Sequence, residues 1–341
     1  MSFSPFLAWT VDRHLAGRSG YHVLADYLPE CAQVTSARSD GVGMARLRAR
    51  ILRRFSFSRW CTGGSFDLER LVTQRIREGY SGPVHYLWCD RDLAFLAATS
   101  CGFALVGTFH QCSDTLSEAI RWPQQLKRFS AIIIMSETQR AWFEARGVQV
   151  SHIHRILHGV DIDYFQPASA KASEHFTALA VGGTRRDFAL LSQVANVMRD
   201  HTKVRFEVVG PHDKKAIFHG LPNVFYHDRL SDDELRAKYQ QASCLLHLIE
   251  DSTANNVINE SLACGTPVIS QRMGGVPEYV NSDCALLCPP RDGASVVQAI
   301  TQLVASSQQQ QEMQLAARAH ALTLDWRIVA EQTRQIHASL C

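Results

Sequence analysis

Glu260 lies in the stretch of this chain best suited to holding a ligand, residues 251–279, DSTANNVINESLACGTPVISQRMGGVPEY. Asn255 and Asn256 are cap-type residues that open a short helix. Val257, Ile258, Ser261 and Leu262 let that helix pack, and Gly265 ends it. Pro267, Val268 and Ile269 form an apolar strand too short for a helix, and it empties into Gly274-Gly275. In an open α/β sheet, ligands sit at the carboxyl ends of strands and at helix N-termini. The helix start and the strand end therefore face one crevice, with Glu260 inside it. A carboxylate there suits a ribose or sugar diol. It repels a phosphate, which must fall on backbone N–H groups instead.

The segment resembles the nucleotide-binding signature of retaining glycosyltransferases of family 4, which have the GT-B fold. That pattern is an acidic residue, seven residues, a second Glu, then small residues, Gly-x-Pro-Val and Gly-Gly-x-x-Glu. Glu260 matches the second Glu, and Gly265, Pro267, Val268, Gly274, Gly275 and Glu278 match the rest. The first acidic position falls on Ser252, with Asp251 one residue out of register. In the family that residue reaches the donor sugar's hydroxyls. Three readings stay open: Asp251 substitutes after a loop shift, a backbone amide does the work, or activity is lost.

The resemblance implies an α/β chain of two Rossmann-like domains facing a central cleft, and a nucleotide diphosphate sugar as co-substrate. It implies that Glu260 accepts hydrogen bonds from the ribose, and that amides around Asn256 and Val257, with Asn255 and Ser252 beside them, meet the distal phosphate or sugar. Val181-Gly182-Gly183-Thr184-Arg185-Arg186 follows a strand and precedes a helical pattern. Glycine permits close approach there, and arginine forks onto phosphate oxygens. The family has Val-Gly-Arg at this place and a Lys later. Here Gly183 stands at the Arg, and Arg185 or Arg186 takes over the cation's role, Arg186 by preference. His110 closes a strand at Gly107-Thr108-Phe109-His110-Gln111, where the family carries a His near the transferring sugar. Gly17-Arg18-Ser19-Gly20-Tyr21 matches the family's loop under the donor phosphates. That assigns Gly20 to the donor and Arg18, Ser19, Gly20, Tyr21 and His110 to the acceptor side.

The elements that would position these residues alternate between short apolar strands and amphipathic stretches. Strand candidates are 6–10, 84–88, 104–109, 131–135, 178–181, 205–209, 244–248 and 267–270. Such alternation predicts parallel sheets with crossover helices. A length of 341 residues and 46% hydrophobic content suit two domains. The break is expected in HGVDIDYFQPASAK, residues 158–171, a Gly-Val-Asp and Phe-x-Pro pattern that the family places before its linker. The expected domains are 1–165 for the acceptor and 166–325 for the donor. A final helix, 326–341, returns onto the first domain by resemblance only.

The net charge of +2 implies no nucleic-acid partner. Ten cysteines without a C-x-x-C pair read as reduced thiols of a cytosolic protein. No charged-then-apolar leader opens the sequence, and no apolar run reaches the ~18 residues of a membrane span. Residues 44–59, MARLRARILRRFSFSR, put Met44, Leu47, Ile51 and Phe55 on one helical face and Arg46, Arg50, Arg53 and Arg54 on the other, with Arg48 breaking the apolar face. A basic amphipathic helix of this kind lies on an anionic membrane or is an ordinary solvated face. The expected location is cytoplasmic, with the inner face of the membrane as the alternative.

Asp90-Arg91-Asp92 spells the metal motif of a different glycosyltransferase fold, but reads equally as a helix cap. The family resemblance implies no metal and no cofactor. Gly41-Val42-Gly43 has no strand before it and is no dinucleotide fingerprint. The expected activity is retaining transfer of a hexose from UDP-glucose, or second GDP-mannose, to a sugar or lipid-linked glycan of envelope or extracellular polysaccharide synthesis. The rivals are a non-catalytic nucleotide-sugar-binding partner and a GT-B epimerase or phosphorylase.

Overall fold

The computed structural model describes residues 5–12, 17–98, 102–169 and 174–341. The chain forms two compact units. One comprises Met1–Leu15, Gly20–His158 and Trp326–Cys341, the other Ala16–Ser19 and Gly159–Asp325.

The first unit is built on β1 (Phe6–Val11), β2 (Ala32–Ala37), β3 (Val84–Tyr86), β4 (Leu105–Phe109), β5 (Ala131–Ile134) and β6 (Ile153–Arg155). They form one parallel sheet in the order β2-β1-β3-β4-β5-β6. Every residue of β4 and β5 is buried, as expected of strands covered on both faces. Phe57, Leu68, Tyr86, Phe109, Phe129 and Phe143 fill the core around them. The strand order reverses between β1 and β3, so a ligand crevice belongs beyond their carboxyl ends.

The last helix, Trp326–Ser339, is part of this unit. Arg334 pairs with Glu30 at 2.6 Å and donates to the Tyr27 carbonyl at 2.7 Å. Deeper in, His337 Nε2 meets His85 Nδ1 at 3.1 Å, and His85 Nε2 meets Thr108 Oγ1 at 2.8 Å. Burial pulls both imidazoles down, His337 to about 4, so the pair is neutral.

The second unit holds β7 (Phe176–Val181), β8 (Val204–Val209), β9 (Val224–His227), β10 (Cys244–His247), β11 (Val268–Gln271) and β12 (Ala285–Cys288). The order is β12-β11-β10-β7-β8-β9, again all parallel. Connections run outward from β7 on one side and from β10 on the other. The switch point lies between their carboxyl ends. Arg318 donates to the carbonyls of Ile162, Phe165 and Ala263, which ties the 159–165 segment to this unit.

β2, β6, β9 and β12 have no counterpart among the strands expected from the sequence, and they are the outer strands of the two sheets. Their faces alternate or stay half-open, as in the exposed-exposed-buried pattern opening β2. The stretch 44–59 is also corrected. Its helix spans only Met44–Leu52, and Ser56, Phe57 and Ser58 are buried. Ser56 Oγ bonds the Arg53 and Ser58 carbonyls, which turns the chain inward.

Candidate active site

In the second unit, the segments after β7 and β10 are laced together. The Asp187 amide donates to the Leu248 carbonyl at 3.0 Å and the Glu250 amide to the Arg185 carbonyl at 3.0 Å. Gly182, with φ 98, opens the first segment, and a Cβ there would lie 3.0 Å from Arg186 Nη2. That bare backbone lets the Arg186 side chain fold back. Its Nε donates to the Val181 carbonyl at 2.8 Å, Nη1 to Thr184 at 3.3 Å and Nη2 to Asn255 Oδ1 at 3.4 Å. One N–H on each terminal nitrogen stays available for an anion. Burial lowers the guanidinium to about 10, and it remains a cation at neutral pH.

Asn255 stands at the N-cap of the Asn256–Ala263 helix, yet its side chain makes no cap bond. Its Nδ2 faces His247 Nε2 at 2.9 Å. A guanidinium only donates, so the amide oxygen must face Arg186 and the amide NH2 must donate to His247. His247 is thereby held neutral with its proton on Nδ1. Burial depresses its basicity in the same sense. A relay His247–Asn255–Arg186 thus fixes the arginine at the switch point.

Glu260 is in the second turn of the helix and only 3% exposed. Tyr239 donates to its Oε2 at 2.9 Å, and Ser19 donates to its Oε1 at 2.5 Å. Ser19 in turn accepts from Asn256 Nδ2 at 2.9 Å. Burial pushes the carboxyl up to about 7, against the lowering pull of the two hydroxyls. A hydroxyl between Glu260 and Asn256 is the arrangement that a ribose or sugar hydroxyl would also satisfy.

The Gly-Gly turn closes over Asp251-Ser252. Gly274 has φ 52, and a Cβ on it would lie 2.3 Å from the Ser252 carbonyl oxygen and 2.5 Å from Asp251 Oδ1. The Gly275 amide donates to that same carbonyl at 2.7 Å. Asp251 lies against this turn. Its Oδ1 accepts the Ser252 amide at 2.8 Å and its Oδ2 lies 3.8 Å from Arg185. Ser252 is buried, with Oγ directed to the Ala254 carbonyl at 3.4 Å.

In the first unit, His110 follows β4. Its Nε2 lies 2.7 Å from the Leu87 carbonyl, which can only accept, so Nε2 carries the proton and Nδ1 is an acceptor. Burial lowers this imidazole to about 3. It is a neutral ring stacked on Trp88 at 5.6 Å. Asp90 Oδ2 accepts the amides of His110 at 2.8 Å and Gln111 at 3.0 Å. Asp92 takes the Thr10 amide and hydroxyl, each at 2.8 Å, together with Arg38 at 3.3 Å. Both carboxylates of the D-x-D spacing thus hold backbone amides of neighbouring loops and strands.

The structure brings Ser19, Asn256 and Glu260 together, and Arg186 with Asn255. Gly183 is exposed, and Val257 is half-buried in the first turn of the helix. The residues expected on the acceptor side have the following surroundings. Ser19 is bonded to donor-set residues. Arg18 stands over the Tyr164 ring and 3.5 Å from Asp161. Tyr21 is 1% exposed and packs on His110, His158 and Trp326. Gly20, with φ 109, precedes the Tyr21–Tyr27 turn. Tyr239, His247 and Asp90 were not anticipated as site residues.

Residues 177–306 match the family described as Glycosyl transferases group 1. The chain is 29% identical over 203 residues to an MMP alpha-(1->4)-mannosyltransferase of Mycolicibacterium hassiacum, covering 56% of this chain and 49% of that protein. It thus spans about half the length of that relative. It is 26% identical over 315 residues to a D-inositol 3-phosphate glycosyltransferase of Corynebacterium aurimucosum, 81% of this chain and 75% of that one. In fold it is similar to Anabaena HepE, solved in complex with UDP-glucose, with a TM-score of 0.71 at 15% identity over 98% of this chain and 100% of that one. The fold is therefore that of the GT-B glycosyltransferases.

Proposed function

We propose, from the match of residues 177–306 to the Glycosyl transferases group 1 family, that the chain is a retaining, metal-independent hexosyltransferase. Its donor is a nucleotide diphosphate sugar. The observation that carries this reading is the pairing, at one switch point, of a buried carboxylate already holding hydroxyls with an arginine that has N–H groups to spare. Glu260 and Asn256 take the diol, and Arg186 and the amides at the start of the Asn256–Ala263 helix take the diphosphate. UDP-glucose is the first choice of donor, supported by the fold likeness to a protein solved with it. GDP-mannose is the second, supported by the mannosyltransferase relative. The acceptor is a sugar or lipid-linked glycan in envelope or extracellular polysaccharide synthesis. The enzyme works in the cytoplasm.

In the reaction an acceptor hydroxyl oxygen bonds to the anomeric carbon on the face from which the diphosphate departs. The carbon–oxygen bond to phosphate breaks, its electron pair stays on the phosphate, and a phosphate oxygen takes the acceptor's proton. Arg186 and the helix amides stabilise the charge that develops on the leaving group. Neutral His110, in the first unit, accepts a hydrogen bond from a sugar hydroxyl. None of these steps needs a protein nucleophile.

Ser252, in place of an acidic residue, keeps a non-catalytic sugar-nucleotide binder as the second reading. Incubation of donor with a panel of glycan acceptors in EDTA decides between them. Acceptor-dependent, one-to-one release of nucleoside diphosphate, with the donor's anomeric configuration kept in the product, supports the transferase. Donor binding without release across the panel supports the second reading, and acceptor-free conversion of the donor sugar supports an epimerase.

A further inference from the structure

The Met44–Leu52 helix buries only Ala49. Large apolar side chains stand out from it and from its flanks: Val42 is 86% exposed, Met44 79%, Leu47 50%, Ile51 51% and Phe55 62%. Trp122 extends the patch, its Nε1 donating to the Phe55 carbonyl at 3.1 Å. Met44, Leu47 and Ile51 follow helical spacing and form one stripe, continued by Phe55 in the turn beyond Leu52. Singly exposed apolar residues need no explanation, but a contiguous patch of this kind marks an interaction surface.

Charge selects the partner. Residues 41–59 contain Arg46, Arg48, Arg50, Arg53, Arg54 and Arg59 and not one Asp or Glu. Arg53 is taken up by Asp40 at 2.5 Å and by the Cys61 carbonyl at 2.6 Å. Arg46, Arg48, Arg50 and Arg54 are exposed and enter no ion pair among the described residues. Nearly every position of the helix meets solvent, so it offers a ridge rather than a groove. An apolar ridge flanked by long guanidinium arms matches a bilayer interface, where apolar groups enter the acyl boundary and the arms reach headgroup phosphates.

We propose that residues 42–55 dock the protein on an anionic lipid surface. Val42, Met44, Leu47, Ile51 and Phe55 enter the interface, and Arg46, Arg50 and Arg54 bind lipid phosphates. No helix among the described residues is long and apolar enough to cross a membrane, so this contact lies on the surface. The helix follows β2 at the carboxyl edge of the first sheet, the edge at which His110 follows β4. The proposal goes beyond the transferase reading and stands without it.

Cosedimentation of the full chain with vesicles tests it. The protein should bind phosphatidylglycerol-containing vesicles and leave pure phosphatidylcholine unbound, with binding weakening as salt rises. Leu47→Ser/Ile51→Ser/Phe55→Ser and Arg46→Gln/Arg50→Gln/Arg54→Gln should each lose about tenfold or more in partitioning. Both keep the wild-type unfolding midpoint, since these side chains are exposed. At fixed ionic strength, an excess of inorganic phosphate that does not displace the protein identifies lipid, and not free phosphate, as the ligand; displacement by it overturns the proposal. So do absence of vesicle binding, equal binding to neutral vesicles, or wild-type binding by either variant. A concentration-dependent dimer that the apolar variant abolishes would assign the patch to self-association and overturn it too.

Discussion

Folding strips water from Glu260, and that leaves a pH signature. Its folded value of about 7 lies above the ordinary 4.5. Between those values the folded chain keeps a proton that the unfolded chain has released. The associated stability is complete below about pH 4.5 and is lost as pH rises through about 7. Glu260→Gln should remove this loss, so the variant should gain up to ~3 kcal/mol relative to wild type between acid and pH 8, read from urea unfolding at several pH values. The ionised carboxylate accepts from a diol better than the neutral acid, so nucleotide binding to wild type should tighten as pH rises through about 7. The same variant should bind about tenfold more weakly at pH 8, by calorimetry. Asn255→Ala and His247→Phe each free Arg186, and each should cost about tenfold in affinity. Their double variant should lose little more than either alone, because both act through one arginine. At this scale the placement of Glu260 on a short helix, and of Arg186 and His110 after strands, was legible from spacing and resemblance. Their partners were not: Ser19 is 241 residues from Glu260, and a hydrogen bond at that separation leaves no local pattern. Asn255 and Asn256 read as caps because asparagine at a helix start usually is one, but their side chains face His247, Arg186 and Ser19 instead.

The elements fix how closely these groups approach. Gly274 carries φ 52 and has the Ser252 carbonyl 2.3 Å from where a Cβ would lie. Gly274→Ala therefore faces both backbone strain and a clash with main chain, and should destabilise by about 2–3 kcal/mol and loosen the 251–256 loop. Gly79 is the control, with φ 95 and nothing within 4 Å of a Cβ. Gly79→Ala should cost only the conformational strain, ~1 kcal/mol, and leave nucleotide affinity unchanged. Denaturant midpoints and calorimetric titrations of the two variants measure the difference. Legibility at this scale follows burial. The inner strands were readable because both faces are covered and their residues run apolar, as in Ala131–Ile134. The outer strands β2 and β6 carry polar residues and give no apolar run, while β9 and β12 have only short apolar runs that stay half-exposed. The Met44–Leu52 helix was foreseen in periodicity and overextended, because Phe55 continues its spacing after the backbone has turned.

Over the whole molecule, each unit owns a six-stranded sheet and a core of its own. Two sheets were expected from length and from the number of strand–helix alternations. The segment 159–165 belongs with the second unit, through the Arg318 bonds to the Ile162 and Phe165 carbonyls. That tie joins residues about 150 apart in sequence. Two cores predict two components in a calorimetric scan. A nucleotide held by β7 and β10 should raise the component of the second unit. The most direct measurement is that scan against UDP-, GDP- and ADP-sugars and free nucleotides, with and without EDTA, on wild type and on Glu260→Gln/Arg186→Gln. The account predicts that one nucleotide class raises the second unit's midpoint in wild type, that EDTA does not diminish the rise, and that the double variant loses most of it. No rise with any member of the panel, or an equal rise in the double variant, would contradict it.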